Sequence, residues 1–224
     1  MEKHIVNILE VTQITHDVKK FVVEKPDDYE FIPGQATEVA INKPGFTEQT
    51  RPFTFTGLNE WPNLEFIIKI YRDHQGVTNE MDKLKPGDSI IIHDIWGEIA
   101  YKGTGIFIAG GAGITPFIAI LRYLNKNHMI GENKLLFANK TRSDIILETE
   151  FRALLGKNFH NILSDEKADG YDFGFITTDI IKSYVDFNHQ NKFYICGPDP
   201  MMSALEKQLK ELNIDEKHII KEGF

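Results

Sequence analysis

Ile106-Phe107-Ile108-Ala109-Gly110-Gly111-Ala112-Gly113-Ile114-Thr115-Pro116 is the stretch that decides the fold. A short apolar run is bounded at once by a cluster of glycines, which suits a buried strand ending in a tight turn. Thr-Pro then follows, and proline is well placed in the first turn of a helix. The eleven residues therefore predict strand, turn and helix in that order.

The same rhythm continues downstream. Apolar runs near 134–138, 160–164, 192–196 and 217–221 alternate with helical patterns near 115–127, 145–155, 178–185 and 199–212. Strands alternating with helices imply βαβ units and a parallel sheet. Upstream the pattern is different. Runs rich in Ile, Val, Phe and Thr at 4–12, 18–24, 37–41, 51–56, 64–71 and 89–94 are separated by Pro, Gly and Asp turns. Six short strands at that spacing predict a small antiparallel barrel. A short helix from 78 to 84, capped by Thr78, interrupts them. The fold class expected is thus a two-domain β plus α/β protein. An N-terminal six-stranded antiparallel β-barrel precedes a C-terminal Rossmann-like five-stranded parallel sheet flanked by helices. Lys102-Gly103-Thr104-Gly105 is the linker candidate, dividing the chain into domains 1–102 and 103–224.

Composition narrows the function. The chain has 224 residues, enough for two small domains. A net charge of -8 disfavours nucleic acid as a partner, because phosphate backbones call for clustered Lys and Arg. The single cysteine, Cys196, can neither close an internal disulfide nor hold an iron–sulfur cluster. No apolar run approaches the roughly 20 residues of a membrane span, and no secretory signal opens the chain. The expected location is the cytoplasm. The eight histidines are scattered, so no metal site is expected. His74 reads as a surface residue.

Three segments carry chemistry. The first is the strand–turn–helix itself, whose Gly111, Gly113, Thr115 and Pro116 stand where a parallel sheet presents a dinucleotide pyrophosphate to a helix N-terminus. The second is Cys196-Gly197-Pro198-Asp199-Pro200-Met201, another turn at the carboxyl end of a predicted strand. The third is Arg51-Pro52-Phe53-Thr54 in the barrel half. Arg51 can meet a phosphate with a fork of donors, Phe53 can stack on a flat ring, and Thr54 can offer a hydroxyl. Gly76-Val77-Thr78 adds a glycine and a helix start that could approach the same pyrophosphate. Together these suit a flavin in the first domain and a nicotinamide nucleotide in the second.

These segments resemble the ferredoxin–NADP reductase superfamily from the first strand to Phe224. Arg51-Pro52-Phe53-Thr54 is similar to its Arg-x-Tyr-Ser box, with Phe for Tyr and Thr for Ser. Gly76-Val77-Thr78 resembles its Gly-x-x-Ser/Thr phosphate loop. Gly111 to Pro116 matches its Gly-x-Gly-x-x-Pro turn, and Cys196 to Met201 its Cys-Gly-Pro-x-x-Met motif. The resemblance implies that Arg51, Pro52, Phe53, Thr54, Gly76, Val77 and Thr78 bind FAD, FMN being the less favoured flavin. Lys69, Ile70 and Tyr71 match its next flavin-lining strand. It also implies that Gly111, Gly113, Thr115, Pro116, Cys196, Gly197, Pro198 and Met201 bind NAD(P)H. Thr54, Cys196 and Glu222 are its catalytic candidates, and Phe224 would cover the flavin. Cys196 is not expected to act as a nucleophile, because hydride passes between cofactors.

Asn139, Lys140, Thr141 and Arg142 follow the second strand of the parallel sheet, where the adenosine ribose should lie. Acidic residues there favour NADH and basic ones NADPH. Lys140 and Arg142 are basic, yet the segment is similar to the Phe-Ala-Asn-Gln-Thr stretch of cytochrome b5 reductases, and the balance leans slightly to NADH. The reaction expected is hydride transfer from NAD(P)H to FAD. Electrons then pass singly to a separate acceptor such as ferredoxin, flavodoxin, an oxygenase component or a small oxidant. The alternative is a fold-retaining electron-transfer subunit or non-catalytic binding module of a larger complex.

Overall fold

Six strands occupy the first part of the computed structural model, which describes residues 3–73, 76–184 and 191–222. They are β1 (His4–Thr15), β2 (Val18–Glu24), β3 (Ala36–Ile41), β4 (Arg51–Thr54), β5 (Asn63–Lys69) and β6 (Ser89–Trp96). Their order is β4-β3-β6-β1-β2-β5, with antiparallel pairing. Phe55, one residue past β4, bridges to Phe66 of β5 and closes the sheet into a barrel. Closure removes the exposed edges that an open sheet would leave. Along β1 the side chains alternate, Val6 and Ile8 buried and Ile5 and Leu9 exposed, as a strand covering a core on one face requires. Phe21, Val23, Val39, Ile41, Phe55, Leu64 and Phe66 fill the interior. Each such burial contributes about 1.5–3 kcal/mol.

A short helix, α1 (Val77–Met81), lies between β5 and β6. It starts one residue earlier than expected and stops sooner. Its N-cap is Gly76, not Thr78. Val77 and Met81 are both buried, and this i, i+4 pair sets the frame of the helix against the core.

The second half holds a parallel sheet of β7 (Gly105–Gly110), β8 (Lys134–Asn139), β9 (Phe159–Leu163), β10 (Asp172–Phe173), β11 (Lys192–Cys196) and β12 (Ile219–Ile220). The order is β10-β9-β8-β7-β11-β12. The helices are α2 (Thr115–Lys126), α3 (Glu148–Leu155), α4 (Thr178–Tyr184) and α5 (Asp199–Glu211). The sheet has six strands where five were expected. The extra one, β10, is two residues at the edge, too short to leave a periodic signal. The helix expected from 145 starts at Glu148 instead. Ile145 and Ile146 are buried before it, and Leu147 takes a left-handed conformation at its N-cap.

On one face of this sheet Ile106, Ile108, Leu136, Ile162 and Ile195 pack with Leu205 and Leu209 of α5. Tyr194 is fully buried and stacks on Phe107 at 4.3 Å. Its hydroxyl accepts from the Lys102 N–H at 2.8 Å and donates to the Gly103 carbonyl at 2.7 Å. Burial pushes this phenol up to about 12. The predicted linker is therefore pinned to the parallel sheet. Two compact units result: residues Met1–Ala100 with Thr115–Tyr123, and Tyr101–Ile114 with Leu124–Phe224. No helix among the described residues is long and apolar enough to cross a membrane.

Candidate functional site

In the barrel, β4 carries the Arg-Pro-Phe-Thr segment as an outer strand paired with β3, Phe53 opposite Thr37 and Thr54 opposite Ala36. Arg51 is exposed, and its Nη1 donates to the Thr50 carbonyl at 2.7 Å. Phe53 is half-buried and packs against the barrel core, so part of its ring belongs to the interior. Thr54 is half-buried too, and its hydroxyl has no hydrogen-bond partner among the described residues. The end of β5 serves structure first. Lys69 pairs with Asp17 at 2.9 Å, Ile70 is buried, and Tyr71 is about half exposed.

Near the phosphate-loop candidate, Gly76 faces open space: a Cβ built there would meet nothing within 4 Å. Val77 points into the core. Thr78 lies within α1, its carbonyl accepting from Asp82 N–H at 3.3 Å. Asp82 also gathers Arg72 at 2.9 Å and Lys19 at 2.9 Å. Hydrogen bonds from Arg72 and then Lys19 hold its carboxyl below the usual range.

The parallel sheet brings the two distant glycine motifs together. Ala109 of β7 and Cys196 of β11 are register partners, so both turns leave the same end of neighbouring strands. Their backbones then meet. A Cβ on Gly113 would overlap the Cys196 carbonyl, and one on Gly110 would overlap the Met201 sulfur. Gly197 lies against the same sulfur and against Gly110. Pro198 caps α5, and Met201 packs on the sheet core. Gly111 differs from its neighbours. Its φ is +51°, and nothing lies within 4 Å of where a Cβ would stand. A positive φ of this kind favours glycine, and the turn is open to solvent there. Residues 111–114 form a 3-10 turn, and α2 starts at Thr115 with buried Pro116 second.

Cys196 is a free thiol. Burial, then the nearby Glu222 carboxylate, pushes it up to about 12. It is therefore a neutral S–H at physiological pH. Phe224 and His74 lie outside the described residues.

Asn139 ends β8 with its carboxamide buried and without a hydrogen-bond partner among the described residues. Thr141 is occupied by Asp144, which accepts from its N–H at 2.8 Å and its hydroxyl at 2.6 Å. Lys140 and Arg142 are exposed. Beside them runs Ser164-Asp165-Glu166, the segment that follows β9, which sequence reasoning overlooked. Ser164 N–H donates to the Asn139 carbonyl at 3.0 Å, Asp165 N–H to the Lys140 carbonyl at 2.9 Å, and Arg142 N–H to Glu166 Oε2 at 2.8 Å. The overlooked signal was an Asp-Glu pair directly after β9. Tyr171 lies close to the same turn. Arg142 and Arg152 each sit 5.6 Å from its ring centre, beside a cavity of about 400 Å³.

Comparison with known proteins agrees with this layout. Residues 6–101 match the oxidoreductase FAD-binding domain and residues 107–207 the oxidoreductase NAD-binding domain. The chain is 27% identical over 218 residues to NADH-cytochrome b5 reductase 2 of Mycosarcoma maydis, covering 88% of this chain and 62% of that protein. The flavohem-like FAD/NAD-binding domain of nitric oxide dioxygenase from Vibrio cholerae superposes with a TM-score of 0.85 at 22% identity, covering 98% of each chain. A ferredoxin NADP+ reductase from Neisseria gonorrhoeae with bound FAD and NADP gives 0.83 at 17% identity, covering 99% of this chain and 98% of that one. The chain belongs to the ferredoxin–NADP reductase superfamily, with an FAD-binding half followed by an NAD-binding half.

Proposed function

We propose that this protein is a flavin reductase that takes hydride from NADH in preference to NADPH and passes electrons to a separate acceptor. The observation that carries the reading is the pairing of the open Gly111 turn with the Cys196 turn at one end of two adjacent parallel strands. Such strand ends are where open α/β sheets bind dinucleotides. FAD, when bound, supplies the ability to accept a hydride and to return its electrons singly.

The chain's own residues position and polarise. Arg51 offers an exposed guanidinium to the flavin pyrophosphate, and Gly76 leaves room for the same group. Phe53 gives a ring face, although without the phenol of the usual box. Thr54 contributes an uncommitted hydroxyl to the flavin ring nitrogen that takes hydride. Gly111 and the start of α2 cradle the nucleotide pyrophosphate. Cys196 and Glu222 flank the nicotinamide, the thiol uncharged.

The NADH preference rests on Asp165 and Glu166. Glu166 meets the Asn139–Arg142 turn through its carboxylate and Asp165 through its backbone N–H, and acidic side chains there can accept from ribose hydroxyls and repel a 2′-phosphate. Tyr171 with Arg142 offers a stacking face for the adenine. The acceptor is a separate molecule: ferredoxin, flavodoxin, an oxygenase component, a small oxidant, or a cytochrome b5 like that in the relative's name.

Anaerobic titration of the FAD-loaded protein with NADH and with NADPH tests this. Stoichiometric bleaching of the flavin at lower NADH than NADPH is expected. A protein that takes up no flavin, or whose flavin NADH leaves oxidised, refutes the proposal.

A further inference from the structure

Arg122 lies in the third turn of α2, and residues Thr115–Tyr123 of that helix belong to the barrel unit. Its Nη1 donates to Glu65 Oε1 at 2.6 Å and to the Thr56 carbonyl at 2.9 Å. Glu65 is 7% exposed and Thr56 fully buried. The Thr56 hydroxyl donates to the same Glu65 oxygen at 2.8 Å. Trp61 covers the guanidinium, 5.5 Å from ring to Cζ. Gly57 keeps the socket open, since a Cβ there would meet the Trp61 ring at 2.8 Å.

A buried ion pair is a poor source of net stability, because desolvation offsets most of the attraction and an apolar pair often does as well. What it adds is direction. Apolar surfaces can slide, whereas a guanidinium held by a carboxylate and a carbonyl has one seat. Here the seat joins two elements of consequence. Thr56 stands two residues beyond Thr54 on the same extended segment. Arg122 stands seven residues, about 10 Å of helix, beyond Thr115, which directly follows the glycine turn.

We propose that Arg122 is a positioning residue for hydride transfer, its seat on Glu65 and Thr56 fixing the strand end that carries Thr54 to the helix that continues from the Gly111–Ile114 turn. The inference rests on the flavin-reductase reading above. Misplacement of reacting groups by about 1 Å costs up to roughly a hundredfold in rate, so such a tie governs the transfer step more than either binding step.

Stopped-flow reduction of the full-length FAD-loaded protein by NADH tests it. R122M is expected to hold FAD with wild-type stoichiometry and to bind NADH with little change. Its limiting rate of flavin reduction should fall at least about tenfold. The long-wavelength charge-transfer absorbance of stacked nicotinamide and flavin should weaken in parallel. R122K, which keeps the cation, should stay closer to wild type. Should R122M strand the Glu65 carboxylate and fail to fold, the double variant R122M/E65M removes both charges and decides the matter by the same two readouts. Wild-type reduction rate and charge-transfer absorbance in R122M, or in the double variant, overturn the positioning role. Failure of NADH to reduce the wild-type flavin is a different result, which removes the functional reading itself.

Discussion

The carbonyl of Cys196 fills the space that a side chain on Gly113 would need. Two motifs remote in sequence thus touch through backbone alone, and the glycine is demanded by packing. G113A should therefore cost about 3 kcal/mol, because backbone on both sides resists displacement. Gly111 carries a positive φ but faces open space, so G111A should cost only about 1 kcal/mol while raising the KM for NADH. Urea unfolding of both variants, with steady-state kinetics, checks the contrast. Equal destabilisation would mean that the two glycines do one job.

Thr54 has a hydroxyl that no other described residue uses. T54A should slow flavin reduction roughly tenfold and leave the FAD dissociation constant nearly unchanged, as expected for a group that acts mainly in the transition state. Stopped-flow reduction and fluorescence titration of FAD separate the two effects. An unchanged reduction rate would remove Thr54 from the chemistry.

Asp165 and Glu166 flank the Lys140–Arg142 turn. Replacing them in D165S/E166K removes two carboxylates from this segment and adds a cation. The kcat/KM ratio of NADPH to NADH should rise at least about tenfold, about 1.4 kcal/mol of discrimination. A ratio that does not move would place the nucleotide's adenosine end elsewhere.

Cys196 is pushed up to about 12 by burial and by Glu222. The thiolate is the reactive form, and an ordinary thiol ionises near 8.5. Modification by a disulfide reagent at pH 8 should be more than about a hundredfold slower than for a free thiol. Denaturing the protein should restore the ordinary rate. Rapid labelling of the native protein would contradict the neutral-thiol assignment.

Asp82 is held below its ordinary value of 3.8 by Arg72 and Lys19. A carboxyl lowered in the folded state adds stability above the unfolded value, and that stability is lost as pH falls through the folded one. D82N should therefore be less stable than wild type by roughly 1 kcal/mol from pH 5 to 8. The gap should close below about pH 3.8. Denaturant melts across that range report it, and a gap that persists in acid would point to a packing effect instead.

Legibility followed the range of the physics. The strand of residues 106–110, the turn and the helix at Thr115 were readable because apolar periodicity, glycine and proline act on their neighbours. The same holds for the six barrel strands. Thr78 misled because capping preference is weaker than the burial of Val77 and Met81. Two-residue β10 gave no signal, since its pairing with Ile162 and Leu163 depends on a partner strand and not on its own pattern. The Asp165–Glu166 pair was visible as letters but had no assigned neighbour until β8 and β9 were set side by side.

By itself, then, the amino-acid order determined the two architectures and the residue types offered to each cofactor, because strand alternation, helix capping and glycine turns are settled within a few residues. The tertiary structure alone decided which of those residues meet. It pressed Gly113 against Cys196, laid acid beside Lys140, and sent Arg122 of α2 into a socket made by Thr56 and Glu65. Such contacts join positions that only the packed core brings within ångströms, and no local rule of chain conformation encodes them.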